Sequence, residues 1–395
     1  MTFATSCSLQ INLIDESQIC PNLKIFNTTN QVLEPQKLNM RPDISILSAI
    51  DNKDVRPDRL HWRAVDLWIE NKNKEKDDVF RKLDWIKTQE TAMASSQEGG
   101  EERSNHDLAR RVEWSKAACE ISGQLIAYAT AIHRCQFRVF SFSVAFFGMT
   151  GRLLRWDRSG IIFTKSFNWY EQHDTFFEFL WRLNHLSDVD CGYDTTVTSV
   201  SDHEAKAALP KLLTYPGLEK LKKKEDLHKF LVRDDGTPEG RVKYYITAGP
   251  IWDSQSLFGR STLGYIGYDM ETTNLVYLKD FWRTDLPGIQ KEGDVYRELH
   301  SAQVSNIARL GLAGDVPKTP GSMDTEPGEV QRTRTQEFGD GCGRAHVDPY
   351  VHYRLVLETL GRPLTTFKST RQLCEVIRDA IVGVWTRFNS RCCKY

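Results

Sequence analysis

No stretch of these 395 residues stays apolar long enough to span a bilayer. The greasiest segment, Phe137 to Met149, is broken by Ser141 and Ser143, so no membrane partner is expected. Patterned cysteine is also missing. The nine cysteines are scattered, form no C-x-x-C pair, and place Cys392 beside Cys393, where disulfide geometry is rarely met. That usage argues against a disulfide-stapled secreted domain and for a reducing compartment, intracellular and either cytoplasmic or nuclear. Met1 to Ile14 has no basic flank ahead of its apolar residues, which speaks against a secretory signal. Neither charge sign is in excess: 52 Lys and Arg face 53 Asp and Glu, for a net charge of −1. There is therefore no global attraction to nucleic acid or anionic lipid, and any polyanion site must be local. No internal repeat is found.

What is present is ordinary for a globular protein: 40% hydrophobic and 27% charged residues, with length for two or three domains. Short apolar runs at Ile44 to Leu47 and Val65 to Ile69 predict strands. Lys72 to Arg110 is charge-dense and holds Ala94 to Gly100, a flexible loop by composition. Helical periodicity over Leu108 to His133 is followed by a strand-like run, Phe137 to Phe147. Asp157-Arg158-Ser159-Gly160 predicts a hairpin turn, and Glu171 to Leu186 an amphipathic helix. Glu219 to Lys224 reads as a solvated helix face. From Val242 strands dominate, with helices expected near Lys291 to Ser301 and Ser369 to Val384. Gly314 to Gly343 reads as an exposed connection or hairpin.

The strongest chemistry lies in the later strands. Gly259-x-Ser261-x-x-Gly264 follows the pattern of a glycine-type phosphate loop, in which missing Cβ atoms let backbone N–H groups approach phosphate oxygens. Ser261 at the second glycine position weakens that approach. Val276-Tyr277-Leu278-Lys279 has the form of a strand lysine that neutralises phosphate charge. Glu292 heads a helical stripe of Val295, Tyr296 and Leu299 and is the expected carboxylate partner of Lys279. Tyr353 to Glu358 reads as a strand leading into a nucleotide hinge. Each signal alone has a bland reading, a solvated lysine or a helix-surface charge. Their order and spacing carry the argument.

These residues, together with Arg155 to Gly160, Phe179 to Arg182, Gly192 to Asp194, Leu278 to Arg283, Glu292 to Tyr296, Ala313 to Pro317, His352 to Leu357 and Gly361 to Leu364, resemble the fungal-type protein kinase domain family. The resemblance covers roughly residues 110 to 385. It implies ATP-dependent phosphorylation of Ser or Thr on a protein substrate, with Mg²⁺ as companion ion. It also implies that Gly259, Ser261 and Gly264 lie near the phosphates, that Lys279 and Glu292 pair, and that the backbone of Glu358 and Leu360 meets adenine. The H-R-D and D-F-G strings that supply the catalytic Asp and the metal ligands occur nowhere in the chain. Glu337-Phe338-Gly339 precedes the hinge strand and is no substitute. The reading is therefore an inactive, C-terminally truncated member, a pseudokinase.

Upstream, Pro42-Asp43, Glu70-x-Lys72 and Gln124-x-x-x-Tyr128 occur in the order of the PD-(D/E)xK nuclease fold, which they resemble. That resemblance implies Asp43 and Glu70 as ligands to a divalent metal, Mg²⁺ for instance, and Lys72 as the associated cation. It would make this region a nuclease-like or nucleic-acid-binding module. Pro-Asp is also a common turn dipeptide, and Glu70 to Lys74 would equally suit a strand end entering solvent. A non-catalytic interaction protein is the third alternative.

The expected fold is α+β. A segment 1–34 precedes a mixed-sheet nuclease-like domain over 35–190 and a connection over 191–239. A kinase-like small lobe follows over 240–364, with a five-stranded antiparallel sheet, one helix and the hinge. Residues 365–395 begin a partial large lobe.

Overall fold

The computed structural model describes residues 20–33, 40–48, 60–81, 115–320 without 220, 222 and 238, 329–341 and 347–392, with positions 12 and 16. The loop expected at Ala94 to Gly100 lies outside the described residues, as does the helix start expected at Leu108. The fold is α+β, with two sheets and five helices described. Contacts divide the chain into two units. One comprises Met1–Asp194, Gln255–Gly259 and Thr333–Pro349; the other comprises Thr195–Ser254, Arg260–Arg332 and Tyr350–Tyr395.

In the first unit, β1 (Leu23–Asn27), β2 (Ile44–Ser48), β3 (Leu67–Lys72), α1 (Lys116–Cys135), β4 (Ser141–Phe147), β5 (Thr150–Asp157), β6 (Gly160–Phe163), β7 (Phe167–Asn168) and α2 (His173–His185) follow one another. The sheet runs β1-β2-β3-β4-β5-β6, with β7 on β5. Every pairing is antiparallel except β3 with β4. A parallel pair needs a long crossover, and α1 lies between these two strands in sequence. Its N-terminus is capped by Ser115, whose hydroxyl accepts the Ala118 N–H at 3.2 Å. Alternation along β3 sorts its side chains by face. Trp68 joins Leu125, Tyr128 and Ile132 of α1 in one core, whereas Leu67 and Ile69 join Phe176, Leu180 and Leu183 of α2 in another. Asp78 and Arg152, both fully buried, form a bidentate pair with contacts of 2.6 to 3.0 Å.

The second unit contains β8 (Val197–Ser199), α3 (Asp202–Leu212), β9 (His228–Arg233), β10 (Val242–Thr247), β11 (Trp252–Asp253), β12 (Leu263–Asp269), β13 (Leu275–Thr284), α4 (Glu292–Ser301), β14 (Leu310–Asp315), β15 (Tyr350–Leu357) and α5 (Thr370–Cys392). Its sheet is antiparallel throughout, ordered β14-β15-β13-β12-β10-β9-β8, with β11 on β12. The stretch 191–239, expected as a connection, is folded and supplies β8, α3 and β9. A capping box opens α3: the Ser201 hydroxyl accepts the Glu204 N–H while Glu204 accepts the Ser201 N–H. Of Glu219 to Lys224, expected as a helix face, the described residues Glu219, Leu221 and Lys223 lie in no helix, and Lys224 opens a single 3-10 turn, Lys224–Asp226. Within 314–343, expected as an exposed connection or hairpin, Pro317 pairs antiparallel with Val330, as in a hairpin, while Gln331 and Thr333 are buried rather than exposed.

One face of this sheet carries Ile246, Ile266 and Tyr268 under α3, and Phe281, Tyr353 and Leu355 beside Tyr296 of α4. On the opposite face Asp280 is buried between His352 and Arg354. His352 Nε2 bonds one carboxylate oxygen, and Arg354 Nε donates to the other at 3.2 Å. Burial alone would push Asp280 up, but His352 and Arg354 outweigh it and hold the carboxyl at about 2.

Candidate functional site

Strand β13 presents Lys279 on the face that α4 covers. Glu292 is the first residue of α4, where the positive end of the helix favours a carboxylate. Lys279 Nζ donates to both oxygens of Glu292, at 2.8 and 2.7 Å. The two predicted residues therefore meet. The pair is partly open, with side chains 22% and 29% exposed.

A third charged group belongs to this cluster. Arg260 Nη2 donates to Glu292 at 3.3 Å, and its guanidinium lies 4.8 Å from the centre of the Phe281 ring, which Lys279 Nζ also approaches at 4.5 Å. Two cations thus share one carboxylate, leaving a local excess of positive charge. In the sequence Arg260 carries no mark beyond its place between Gly259 and Ser261.

The glycine-type positions are used differently from expectation. Gly259 adopts φ +80° and Ser261 φ +38°, a left-handed backbone that a non-glycine residue adopts at a cost. The Gly259 N–H donates to the Arg158 carbonyl at 2.8 Å, and Arg158 Nη1 donates to the Leu257 carbonyl at 3.0 Å. Leu257 is buried in the α1-side core of the first unit. The Gly259 N–H is therefore committed to a protein oxygen. Gly264 sits opposite Lys279 in the β12–β13 register, and a Cβ there would lie 2.3 Å from the Tyr277 hydroxyl. Its missing side chain makes room for a phenol.

At the hinge-like end of β15, the Glu358 N–H donates to the Arg309 carbonyl at 2.8 Å and its carboxylate pairs with Arg309 Nε at 2.9 Å. Leu360 packs against the α3 cluster, as Tyr277 does.

In the first unit the other predicted residues also converge. Lys72 Nζ donates to Glu70 Oε1 at 2.6 Å and to Gln124 Oε1 at 2.9 Å. Gln124 Nε2 donates to Glu70 Oε1 at 2.9 Å and to the Tyr128 hydroxyl at 2.7 Å. Tyr128 in turn donates to the Arg41 carbonyl at 2.8 Å, and Asp43 Oδ2 accepts the Asn71 N–H at 2.7 Å. Glu70 is buried, yet its Oε2 has no hydrogen-bond partner among the described residues. Burial, and then the Asp43 charge, push the Glu70 carboxyl up to about 7, the Lys72 ammonium only partly offsetting them. Burial raises Asp43 as well, against the lowering effects of the Asn71 N–H and Lys72. The Tyr128 phenol is pushed up to about 12, by burial first and by Glu70 next. Among the described residues no group of three or more His, Cys, Asp and Glu gathers as a metal site. No described helix is long and apolar enough to cross a membrane.

A family model described as fungal protein kinase matches residues 107–388, more than half of the chain. No curated protein and no solved structure matches it.

Proposed function

Because the chain belongs to the fungal protein kinase family, we propose that its second unit is a kinase-type small lobe that holds the phosphates of ATP at Lys279. The observation that carries this reading is the two-pronged contact from Lys279 to Glu292. A lysine so fixed keeps its ammonium in one place, so a phosphate oxygen meets a preset charge rather than a mobile one. Arg260 adds a second cation to the same carboxylate. Within an eight-stranded sheet, where five strands were expected, the antiparallel run β10-β12-β13-β15-β14, with α4 between β13 and β14 in sequence, supports the lobe assignment. Mg²⁺ would arrive with the nucleotide.

Binding is the function proposed for the 395 residues themselves. Phosphoryl transfer relies on a residue that orients the attacking hydroxyl and on groups that hold the metal ion, and the H-R-D and D-F-G strings are absent. ATP should raise the melting temperature of the purified chain, a hundredfold excess over Kd adding about 2.7 kcal/mol of stability. Lys279→Met should remove that gain, and labelled ATP should transfer no phosphate to protein substrates. Stabilisation by ATP that survives Lys279→Met would overturn the assignment.

A second reading is favoured by the orphaned Glu70 oxygen. A buried carboxylate oxygen without a donor is costly unless something else satisfies it. Asp43 and Glu70 would hold a divalent cation there, consistent with a PD-(D/E)xK-like module acting on or binding nucleic acid. The bound ion would supply Lewis-acid stabilisation of phosphate charge. Lys72, held by Glu70 and Gln124, would orient a water or a phosphate oxygen. Melting with Mn²⁺ checks this: a rise in wild type that Glu70→Gln abolishes is expected, and an equal rise in both removes the reading.

A further inference from the structure

The face of the second sheet that bears Lys279 is already occupied on its hinge side. Tyr277 lies two residues before Lys279 on the same strand, and therefore on the same face, about 7 Å along it. Its cross-strand partner on β15 is Leu357, where the hinge-like segment begins, while that of Lys279 is Leu355. Any flat group reaching from residues 358–360 to Lys279 must cross this position. The Tyr277 hydroxyl rests against Gly264, which pairs with Lys279 from β12, so the ring leans across the sheet at the level of the lysine. Burial, and then the Glu292 charge, raise its phenol.

A second phenol reinforces the first. Tyr215 follows α3, is buried, and donates its hydroxyl to the Gly361 carbonyl at 3.4 Å. Tyr215, Leu221, Tyr277 and Leu360 belong to one apolar cluster with the sheet residues Ile266 and Tyr268. A polar edge directed at hinge backbone, backed by apolar contacts on both sides, is what a purine ring would require of this place. Here the protein's own tyrosines supply it. The Lys279–Arg260–Glu292 cluster beyond Tyr277 stays partly exposed.

We propose that Tyr277, supported by Tyr215, closes the purine side of the Lys279 site, so that the resting chain takes a polyphosphate without using its base. A nucleotide gains from its purine only when the Tyr277 ring is displaced. This rests on Lys279 being the phosphate-binding residue, and it deepens that assignment by naming what selects the ligand. It also gives Gly264 a role: side-chain-free backbone that accommodates the closing ring.

Isothermal titration of the full chain with ATP and with inorganic tripolyphosphate tests the closure. Wild type should bind the two within about threefold of each other, because the base contributes little, and Lys279→Met should lose both. Tyr277→Ala should tighten ATP about tenfold while leaving tripolyphosphate within about twofold. Tyr277→Val, which keeps a strand-favouring side chain, should do the same should the alanine variant fold poorly. The closure is refuted by wild type binding ATP about tenfold tighter than tripolyphosphate, or by folded variants with unchanged ATP affinity. In either case loss of binding in Lys279→Met preserves the phosphate-site assignment. If neither ligand binds, or Lys279→Met changes neither affinity, the phosphate-site assignment fails and the closure falls with it.

Discussion

Glu70 shows how a single buried side chain can make folding depend on pH. Its carboxyl is raised from 4.5 to about 7, so its contribution to folding is fully present below about 4.5 and is lost as pH rises through about 7. The loss is on the order of 3 kcal/mol. Glu70→Gln should therefore melt higher than wild type at pH 8 and flatten the pH dependence between pH 4.5 and 7, as followed by circular dichroism. A variant less stable than wild type at pH 8 would contradict the burial penalty. At this scale the sequence was informative where chemistry is local and ordered. Lys279 with Glu292, and Glu70 with Lys72 and Gln124, could be named because their order along the chain resembles known families, and each set meets in space. Tyr215 and Tyr277 could not, because their contact depends on packing between residues far apart in sequence. Arg260 was hidden for a simpler reason: an arginine within a loop pattern has no periodicity to mark it.

Helix α4 is the element on which the phosphate-binding assignment turns, since it must hold Glu292 against Lys279. Gly293 sets how closely it can lie on the sheet. A Cβ there would come 2.5 Å from both Ala313 Cβ and the Tyr353 hydroxyl. The Gly293 N–H, unpaired within the helix, donates to that hydroxyl at 3.2 Å. Gly293→Ala should push the first turn of α4 outward, costing about 1–3 kcal/mol by overpacking. It should also weaken tripolyphosphate binding, both readable from a melt and a titration on one sample. Tyr353→Phe should cost less, about 1 kcal/mol, because it removes one hydrogen bond and keeps the ring. The glycine was visible in the sequence, but only the neighbouring atoms explain it. Elements with a strong period, α1, α2 and α4, were legible. Helix α3 was not, although Ser201-x-x-Glu204 was a readable capping signal. The lysine-rich run at 219–224 misled because charge density is shared by helix faces and by turns.

For the molecule as a whole, the two candidate sites predict separate responses. In hydrogen exchange, tripolyphosphate should protect β12, β13 and the first turn of α4, whereas Mn²⁺ should protect β3 and the middle of α1. Protection of both sets by either ligand alone would show that the sites are not distinct. Unit boundaries were the least legible feature, because Gln255–Gly259 and Thr333–Pro349 belong by contact to a unit from which they are remote in sequence. Composition marks linkers, and it has no means of marking a segment that returns. The adjacency of Lys279 and Asp280 has one more effect. Their side chains leave β13 in opposite directions, the ammonium toward Glu292 and the carboxylate toward His352 and Arg354. If β13 mispaired by one residue while folding, a negative group would be thrust at Glu292 and a positive one at Arg354. Both encounters repel, so the wrong alignment is rejected by charge before any apolar packing could lock it in.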